Sequence, residues 1–583
     1  MAILRNLILH KPFLFFGAAF ISLGFNANSQ DFPAKNYPKG YFQYPVGAKV
    51  GLAANFGELR PNHYHMGLDC KTDQRQNVNV YAAADGYVAK VKIEPSGFGR
   101  AIYIAHPNGY TTLYAHLNDF FPQLEKYVKE QQYMQESWQV FLDIPKGLIP
   151  VTKGQFIAYS GNTGGSQGPH THFEIRDTET DKVYNPSLFG FPIPDDVPPS
   201  ILRLAVYDRC KSTYSQSPRI IGLKKTAGGY TTSTPLIVLN TESVSFGISA
   251  IDKYTGSANP NGIYQAVLYF DEEPVVGFQL DDISYDETRY LNAHIDHRTR
   301  AAGGPFIEHL SRLPGYPEGV YTDFSGDGVI DIEDDSAHHV RIEVKDANGN
   351  TSNLKFDVKR SLAAIKKSKE ETSLSPLLFK PGFVNIFERE DVQVVLKEED
   401  LYDSINFVYS KKVSPSPLAV SAIHSIHTGL IPVQGYYTVR IKPTVEIDAT
   451  KSDHVIMQRC WGPKTNVVKA KREGEWYTGQ FRAFGNVQLL VDESPPVITP
   501  VGIRDNADLS RSARIVFVVS DNNDEFKNFR AELDGKWLRF TNDKGRSFIY
   551  TFDEMCQPGE HELKVSVEDE AGNVAERVYH FKR

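Results

Sequence analysis

Residues 58–72 read Glu-Leu-Arg-Pro-Asn-His63-Tyr64-His65-Met66-Gly67-Leu68-Asp69-Cys70-Lys71-Thr72, and far downstream residues 168–174 read Gly-Pro-His170-Thr171-His172-Phe173-Glu174. On an extended backbone successive side chains point to opposite faces. His65 and Asp69 then share one face, with Gly67 between them leaving room, and His170 and His172 share a face of a second strand. Two imidazoles and a carboxylate from two strands make an open three-ligand set, the kind a catalytic zinc keeps with a fourth position for water. Cys70 follows Asp69 directly, so its thiol should point away from that face and behave as a small buried hydrophobe. Any one of these histidines alone would read as a structural residue, and that is the reading given to His63 and His106.

Two further stretches belong with these. Tyr114-Ala115-His116-Leu117 comes first, and then the run Ser160-Gly161-Asn162-Thr163-Gly164-Gly165-Ser166-Gln167-Gly168-Pro169. In this order, over about residues 42–190, the motifs resemble the lysostaphin-type zinc metalloendopeptidases, metallopeptidase family 23. The resemblance implies that His65, Asp69 and His172 hold zinc. It implies that His116 and His170 act beside the metal's water, either one as general base. The chemistry is sound: zinc lowers the pKa of its water from about 15.7 to about 7, and a neutral imidazole takes the proton and returns it to the leaving amine. Thr171 stands where a larger aliphatic residue is common, on the side away from the metal. Glu174 shares the face of His170 and His172 and reads either as a carboxylate orienting a ligand or as a surface group. The implied activity is an exported endopeptidase cutting peptide cross-links or stem peptides of bacterial peptidoglycan. Two other readings stand beside it: a non-catalytic protein that binds and regulates wall hydrolases, and a surface scaffold. The glycine run lacks Gly-Lys-Ser/Thr and is no phosphate loop; its glycines let the backbone turn tightly and approach the cleft.

The whole chain has 583 residues, 41% hydrophobic and 23% charged, which suggests about three or four globular domains. Abundant Tyr and Phe favour strands. A net charge of −8, with no basic cluster, argues against a nucleic-acid partner. Residues 1–29 have a positive start at Arg5 and Lys11, an apolar Pro12–Phe25 run and a small-x-small Ala27-Asn28-Ser29, the pattern of a secretory signal peptide. With no other apolar span, the expectation is an exported protein of periplasm, envelope or exterior, with no membrane span after cleavage. The four cysteines are scattered, and sequence does not choose a pairing.

The expected architecture is mostly β: an antiparallel-sheet metallopeptidase core, then several β-sandwich, immunoglobulin-like domains. The expected borders are 30–194 for the metallopeptidase, 195–360 for a sandwich with an insertion, 361–491 for a β-rich domain and 492–583 for a second sandwich. The two sandwiches form an internal repeat. Each opens on Asp-x-x-Pro-Pro, from Asp195 in the first and Asp492 in the second, and Val244–Asp252 matches Ile515–Asp521. Gln265–Asp271 matches Phe529–Gly535, and Asp346-Ala-Asn-Gly-Asn350 matches Asp569-Glu-Ala-Gly-Asn573. Within the core, Asp85-Gly86 signals a hairpin, as does Pro107-Asn108-Gly109, whose far strand should place Tyr114 and His116 on one face. Residues 121–150 look inserted, with helical propensity at the start, and either wall the cleft or pack on the sheet. Lys366–Pro376 reads as a linker. A second metal loop is suggested at Asp323, Ser325, Asp327, Val329, Asp331 and Asp334, spaced like an EF-hand loop for Ca2+ with Gly328 at the turn. The competing reading is an Asp/Gly-rich hairpin tip.

Overall fold

In the first domain, strand formation follows the alternation seen in the sequence. The strands that matter are β1 (Leu52–Ala54), β2 (Leu68–Lys71), β3 (Gly86–Ile93), β4 (Arg100–Ala105), β5 (Tyr110–Ala115), β6 (Val140–Asp143) and β7 (His170–Asp177). They form one antiparallel sheet in the order β1-β2-β7-β5-β4-β3-β6. The computed structural model describes residues 32–33, 35–317, 319–361, 377–523 and 526–583; the expected signal peptide and the expected 366–376 linker lie outside them. Residues 36–583 make up one unit by their contacts.

The β4–β5 hairpin forms around Pro107-Asn108-Gly109 as expected, with Ala105 opposite Thr111 and Gly109 at φ +85°. Asp85-Gly86 is not a hairpin turn. The strand before it, Asn79–Tyr81, pairs with Phe156–Ser160 in a small second sheet, whereas β3 pairs with β4 and β6. The chain crosses between sheets here. Gly86 is needed for close approach, since a Cβ on it would lie 2.3 Å from the Ala105 carbonyl oxygen.

The 121–150 segment folds as helix α1 (Pro122–Gln135) followed by β6. Phe121 and Pro122 start the helix, and Glu136, at φ +47°, ends it. Leu124 and Val128 turn into the first domain's core, joined by Trp138, Val140, Leu142, Ile144 and Ile149. This segment thus packs on the sheet, and β6 lies at the edge opposite β1.

From Ser200 onward the molecule is built largely of paired sheets. Ser200–Asp208 and Ser243–Ile251 lie in one sheet, opposite a seven-stranded sheet that includes Gln265–Phe270, Ala337–Lys345 and Thr351–Arg360. Two five-stranded sheets follow between Asn385 and Val491, and three- and five-stranded sheets between Val497 and Lys582. The first sandwich is stitched to the first domain. Asp282–Ile283 pairs with Val183–Tyr184, which in turn pairs with β7. Tyr64 and Met66 lie in the same apolar core as Phe246, Phe278 and Leu280 of that sandwich. All four cysteines are free thiols, and Cys70 is fully buried. Among the described residues no helix is long and apolar enough to cross a bilayer.

Candidate metal centre and active site

Strand β7 lies between β2 and β5, so His172 stands opposite Asp69 on one side and Ala115 on the other. Phe173 faces the core, where its ring meets Tyr114 at 5.4 Å. By strand alternation His170, His172 and Glu174 occupy the other face. His65 reaches that face from the segment ahead of β2, held on either side by Tyr64 and Met66 in the sandwich core.

Three atoms converge. His65 Nε2 is 2.9 Å from Asp69 Oδ1 and 3.0 Å from His172 Nδ1, and His172 Nδ1 is 2.9 Å from Asp69 Oδ1. The outward atom of each residue is anchored. His65 Nδ1 donates to the Asn55 carbonyl at 2.6 Å, Arg60 Nη2 donates to Asp69 Oδ2 at 2.6 Å, and His172 Nε2 meets Glu174 Oε1 at 2.8 Å. Outer partners of this kind fix which nitrogen carries the proton and turn the other toward a metal. Two imidazole nitrogens and one carboxylate oxygen at one point suit zinc with an open position. Gly67 makes the convergence possible: a Cβ there would lie 2.4 Å from the Phe173 carbonyl oxygen and 2.9 Å from His172 Cε1.

The electrostatics follow from these neighbours. Burial draws His65 down to about 4, against the pull of Asp69. Burial opposes charge on His172 as well, but hydrogen bonds to Asp69 and Glu174 push it up to about 9. The two differ because His65 turns its far side to a neutral carbonyl and His172 turns its far side to a carboxylate. Against burial, His65, His170 and His172 hold Asp69 well below the usual carboxylate range. Also against burial, Arg176 and then His172 bring Glu174 down to about 2. Arg176 Nη2 is 2.6 Å from Glu174 Oε2, and its guanidinium lies over the rings of Phe98, Tyr103 and Tyr285.

His116 and His170 stand beside this centre, their rings 4.8 Å apart and the His116 ring 6.0 Å from His172. His116 Nδ1 donates to the Thr163 carbonyl at 2.9 Å and His170 Nδ1 to the Gly168 carbonyl at 2.8 Å. The lone-pair nitrogen of each is therefore Nε2, and His170 Nε2 lies 3.3 Å from Asp69 Oδ1. The glycine run supplies both carbonyls. It packs backbone to backbone on the 97–99 turn, with Gly165 N donating to Gly97 O at 2.9 Å. Burial, then charge on His170 and His172, lowers His116 to about 3.

The expectation that Tyr114 and His116 share a face fails. Tyr114 faces the core and His116 the site, because His116 adopts φ +60° and breaks the strand's alternation. A positive φ at a non-glycine residue is uncommon and concentrates at functional sites. Glu174 is fully buried and no surface group. His63 is exposed, and His106 is satisfied by the Asp85 carbonyl and Thr112.

The suggested calcium loop does not gather. Asp323 pairs with Arg312, Ser325 Oγ donates to the Pro274 carbonyl, and Asp327 Oδ1 accepts from Val329 N. Asp334 accepts from Ser336. Asp331 is exposed, in a short strand Ile330–Asp331 laid against Ser243–Val244. That pairing straightens the segment beyond Gly328 instead of wrapping it. The carboxylates of Asp323, Asp327, Asp331 and Asp334 form no group of three within reach of one ion among the described residues.

The sequence reading missed Asn55, Arg60, Arg176 and Tyr285. Tyr285, from the first sandwich, donates to Glu174 Oε1 at 2.5 Å. Nothing in local spacing marks it. Arg60 sits in the opening stretch, and its nearness to Asp69 was the available signal.

Residues 63–137 match the model of Peptidase family M23, and residues 377–492 match that of a Zu5-like domain. Over 146 residues the chain is 33% identical to a Haemophilus influenzae protein named an uncharacterized metalloprotease, covering 24% of this chain and 25% of that one. Over 172 residues it is 30% identical to the DD-carboxypeptidase/endopeptidase Mpg of Neisseria meningitidis serogroup B, covering 30% of each. Over 141 residues it is 30% identical to the peptidoglycan DD-endopeptidase ShyA of Vibrio cholerae, covering 24% of this chain and 27% of that one. The chain thus spans between 25% and 30% of the length of these relatives.

Proposed function

From a chain that carries an M23 peptidase domain near its N-terminus, we propose an exported zinc endopeptidase that hydrolyses peptide cross-links or stem peptides of bacterial peptidoglycan. The observation that carries the reading is the convergence of His65 Nε2, Asp69 Oδ1 and His172 Nδ1, each backed by an outer partner. The names of the Neisseria and Vibrio relatives support the substrate class and a place in the cell envelope.

His65, Asp69 and His172 are the residues that would hold zinc. When bound, zinc supplies Lewis acidity toward water and toward a peptide carbonyl. The chain's own residues do the rest. Arg60 keeps Asp69 turned so that Oδ1 faces the centre. Asn55 and Glu174 hold the two imidazoles in the tautomers that aim a lone pair inward. His116 and His170 each present Nε2 on the same side, ready to accept a proton from water and to return it to the leaving amine. Their Nδ1 protons are committed to Thr163 and Gly168, so neither ring can turn away without losing a hydrogen bond.

The test is zinc content and muropeptide release from purified peptidoglycan by the mature protein, beside a His65→Ala, His172→Ala variant. Stoichiometric zinc and released muropeptides, both lost in the variant, are expected. A folded protein that binds no zinc ends the enzymatic reading; zinc without turnover ends the hydrolase reading and keeps only the metal site.

A further inference from the structure

A second gathering of carboxylates lies where the first domain's chain enters the first sandwich. Asp195, Asp252 and Asp346 each bring a carboxylate oxygen within 4.8 Å of the others. They come from three places: the 191–199 segment, the end of Ser243–Ile251, and the turn after Ala337–Lys345. Asp252 and Asp346 are buried, with 2% and 3% of their surface exposed.

Buried acids alone define no site. What points to a ligand here is an oxygen that the protein leaves unsatisfied. Asp252 Oδ1 is buried and has no hydrogen-bond partner. An uncompensated carboxylate oxygen in that position is strongly disfavoured unless it is neutralised or coordinated. The other two acids have partners. Asp195 Oδ1 accepts from Val197 N and Oδ2 from Asn348 Nδ2, while Asp346 accepts from Asn348 N, Asn350 N and Asn350 Nδ2. Asn261 joins Asp252 by two backbone hydrogen bonds, is 3% exposed, and also has an unpartnered Oδ1. Burial, then the charges of Asp195 and Asp346, pushes Asp252 up to about 7, against a backbone hydrogen bond from Lys253 N–H.

The internal repeat supplies a contrast. At the equivalent positions the second sandwich has Asp492, Asp521 and Asp569. There two side-chain amides intervene: Asn522 Nδ2 donates to Asp492 Oδ1 and Asn523 Nδ2 to Asp492 Oδ2. The first copy has Lys253 and Tyr254 at those positions, and Tyr254 is drawn into the core of the first domain instead. Asp521 Oδ1 is likewise unpartnered, but Asp521 is only partly buried, and among the described residues Asp492, Asp521 and Asp569 form no such group, whereas the first copy keeps its three carboxylates gathered around a buried Asp252.

We propose that Asp195, Asp252 and Asp346 bind a calcium ion. All the donors are hard oxygens from irregular backbone, which suits calcium's six to eight oxygen ligands and tolerant geometry better than zinc's preference for nitrogen and sulfur. The ion fixes the base of the 252–262 loop. That loop grips the first domain: Asn259 Nδ2 donates to the Ala53 carbonyl, and Asn55 and Gly262 exchange hydrogen bonds of 2.8 and 3.0 Å. The site is independent of the proposed peptidase activity.

Equilibrium dialysis of the full mature chain, zinc-loaded, against calcium tests this. One calcium per chain is expected at about millimolar calcium or below. Asp252→Asn and Asp346→Asn should each weaken binding at least about tenfold. Asp521→Asn and the double change Asp327→Ala, Asp331→Ala should leave it unaltered. Should either acid variant fail to fold, wild-type melting decides: calcium should raise the melting temperature and a calcium chelator reverse it. No bound calcium and no shift overturns the proposal. So does calcium that persists undiminished in both Asp variants, or that is lost with the 327/331 change.

Discussion

Tyr285 donates its hydroxyl to Glu174, so a side chain of the first sandwich supports the carboxylate that orients His172. The metal centre is thus assembled from more than the domain that carries its motifs. Tyr285→Phe removes that donor and keeps the ring over Arg176. Because Tyr285 acts on His172 only through Glu174, zinc affinity should fall by up to about tenfold, the low end of what losing a direct outer partner costs. Competition with a chelator measures it, and an unchanged affinity would separate Tyr285 from the centre.

Gly67→Ala should be far more damaging than its chemistry suggests. The added methyl meets the Phe173 carbonyl oxygen at 2.4 Å, with His172 and Glu174 close behind. A loss of about 1–3 kcal/mol in stability is expected, with impaired zinc loading. Gly168→Ala, on the glycine run, is the control, since a methyl there would meet nothing within 4 Å. Chemical denaturation of both variants decides.

His116→Ala and His170→Ala should retain zinc and lose turnover by roughly 10²–10⁴-fold. Metal analysis beside muropeptide release separates them from His65→Ala, which should lose both. Retained activity in either variant removes that histidine from the proton path.

Lys544, on the C-terminal sandwich, donates to the Ser166 carbonyl at 2.8 Å and lies 3.4 Å from the Gly164 carbonyl. Gly164 N donates to the Asp543 carbonyl at 3.1 Å. Lys544→Ala should speed amide exchange at residues 162–166 by roughly fivefold, the loss of about 1 kcal/mol in local protection. Unchanged exchange would show that this contact does not restrain the loop.

The raised carboxyl of Asp252 gives a pH test. It sits near 7 when folded against 3.8 as its ordinary value. Without calcium the folded chain therefore holds a proton that the unfolded chain has released, and stability falls as pH rises between about pH 4 and pH 7. The charged groups facing it are Asp195 and Asp346, the Lys253 backbone N–H donates to it, and the nearby Tyr254 hydroxyl, raised chiefly by burial, stays neutral across this range; Asn261, bonded to it through the backbone, carries no charge. With calcium bound the carboxylate is already ionised, so the stabilisation by calcium should grow with pH across that window. Melting curves with calcium and with chelator, compared at each pH, measure it; a constant difference counts against Asp252 as a ligand.

Much of the centre was legible because strand alternation is strict. Gly67 and the spacing of His65 to Asp69 and of His170 to His172 to Glu174 all translate directly into a shared face. His116 was legible as a residue but not as a direction, because one left-handed φ reverses its face. The Asp85-Gly86 turn misled for a related reason: two adjacent apolar runs need not pair when one belongs to another sheet. Asp323 to Asp334 kept the spacing of a calcium loop, but backbone pairing with Ser243–Val244 straightened it. Asp195, Asp252 and Asp346 were visible only as marks of the repeat, since their meeting depends on how three distant segments come together.

Tyr64 and Met66 flank His65 and are seated in the apolar core of the first sandwich. A fragment trimmed to the first domain would expose the ring and the thioether to water and free His65 from its two neighbours. Swapping sandwiches between related chains would meet the same obstacle, because any incoming sandwich must bring a socket shaped for these two side chains. The smallest piece that keeps His65 in place therefore reaches beyond the stretch that carries the metal-site motifs.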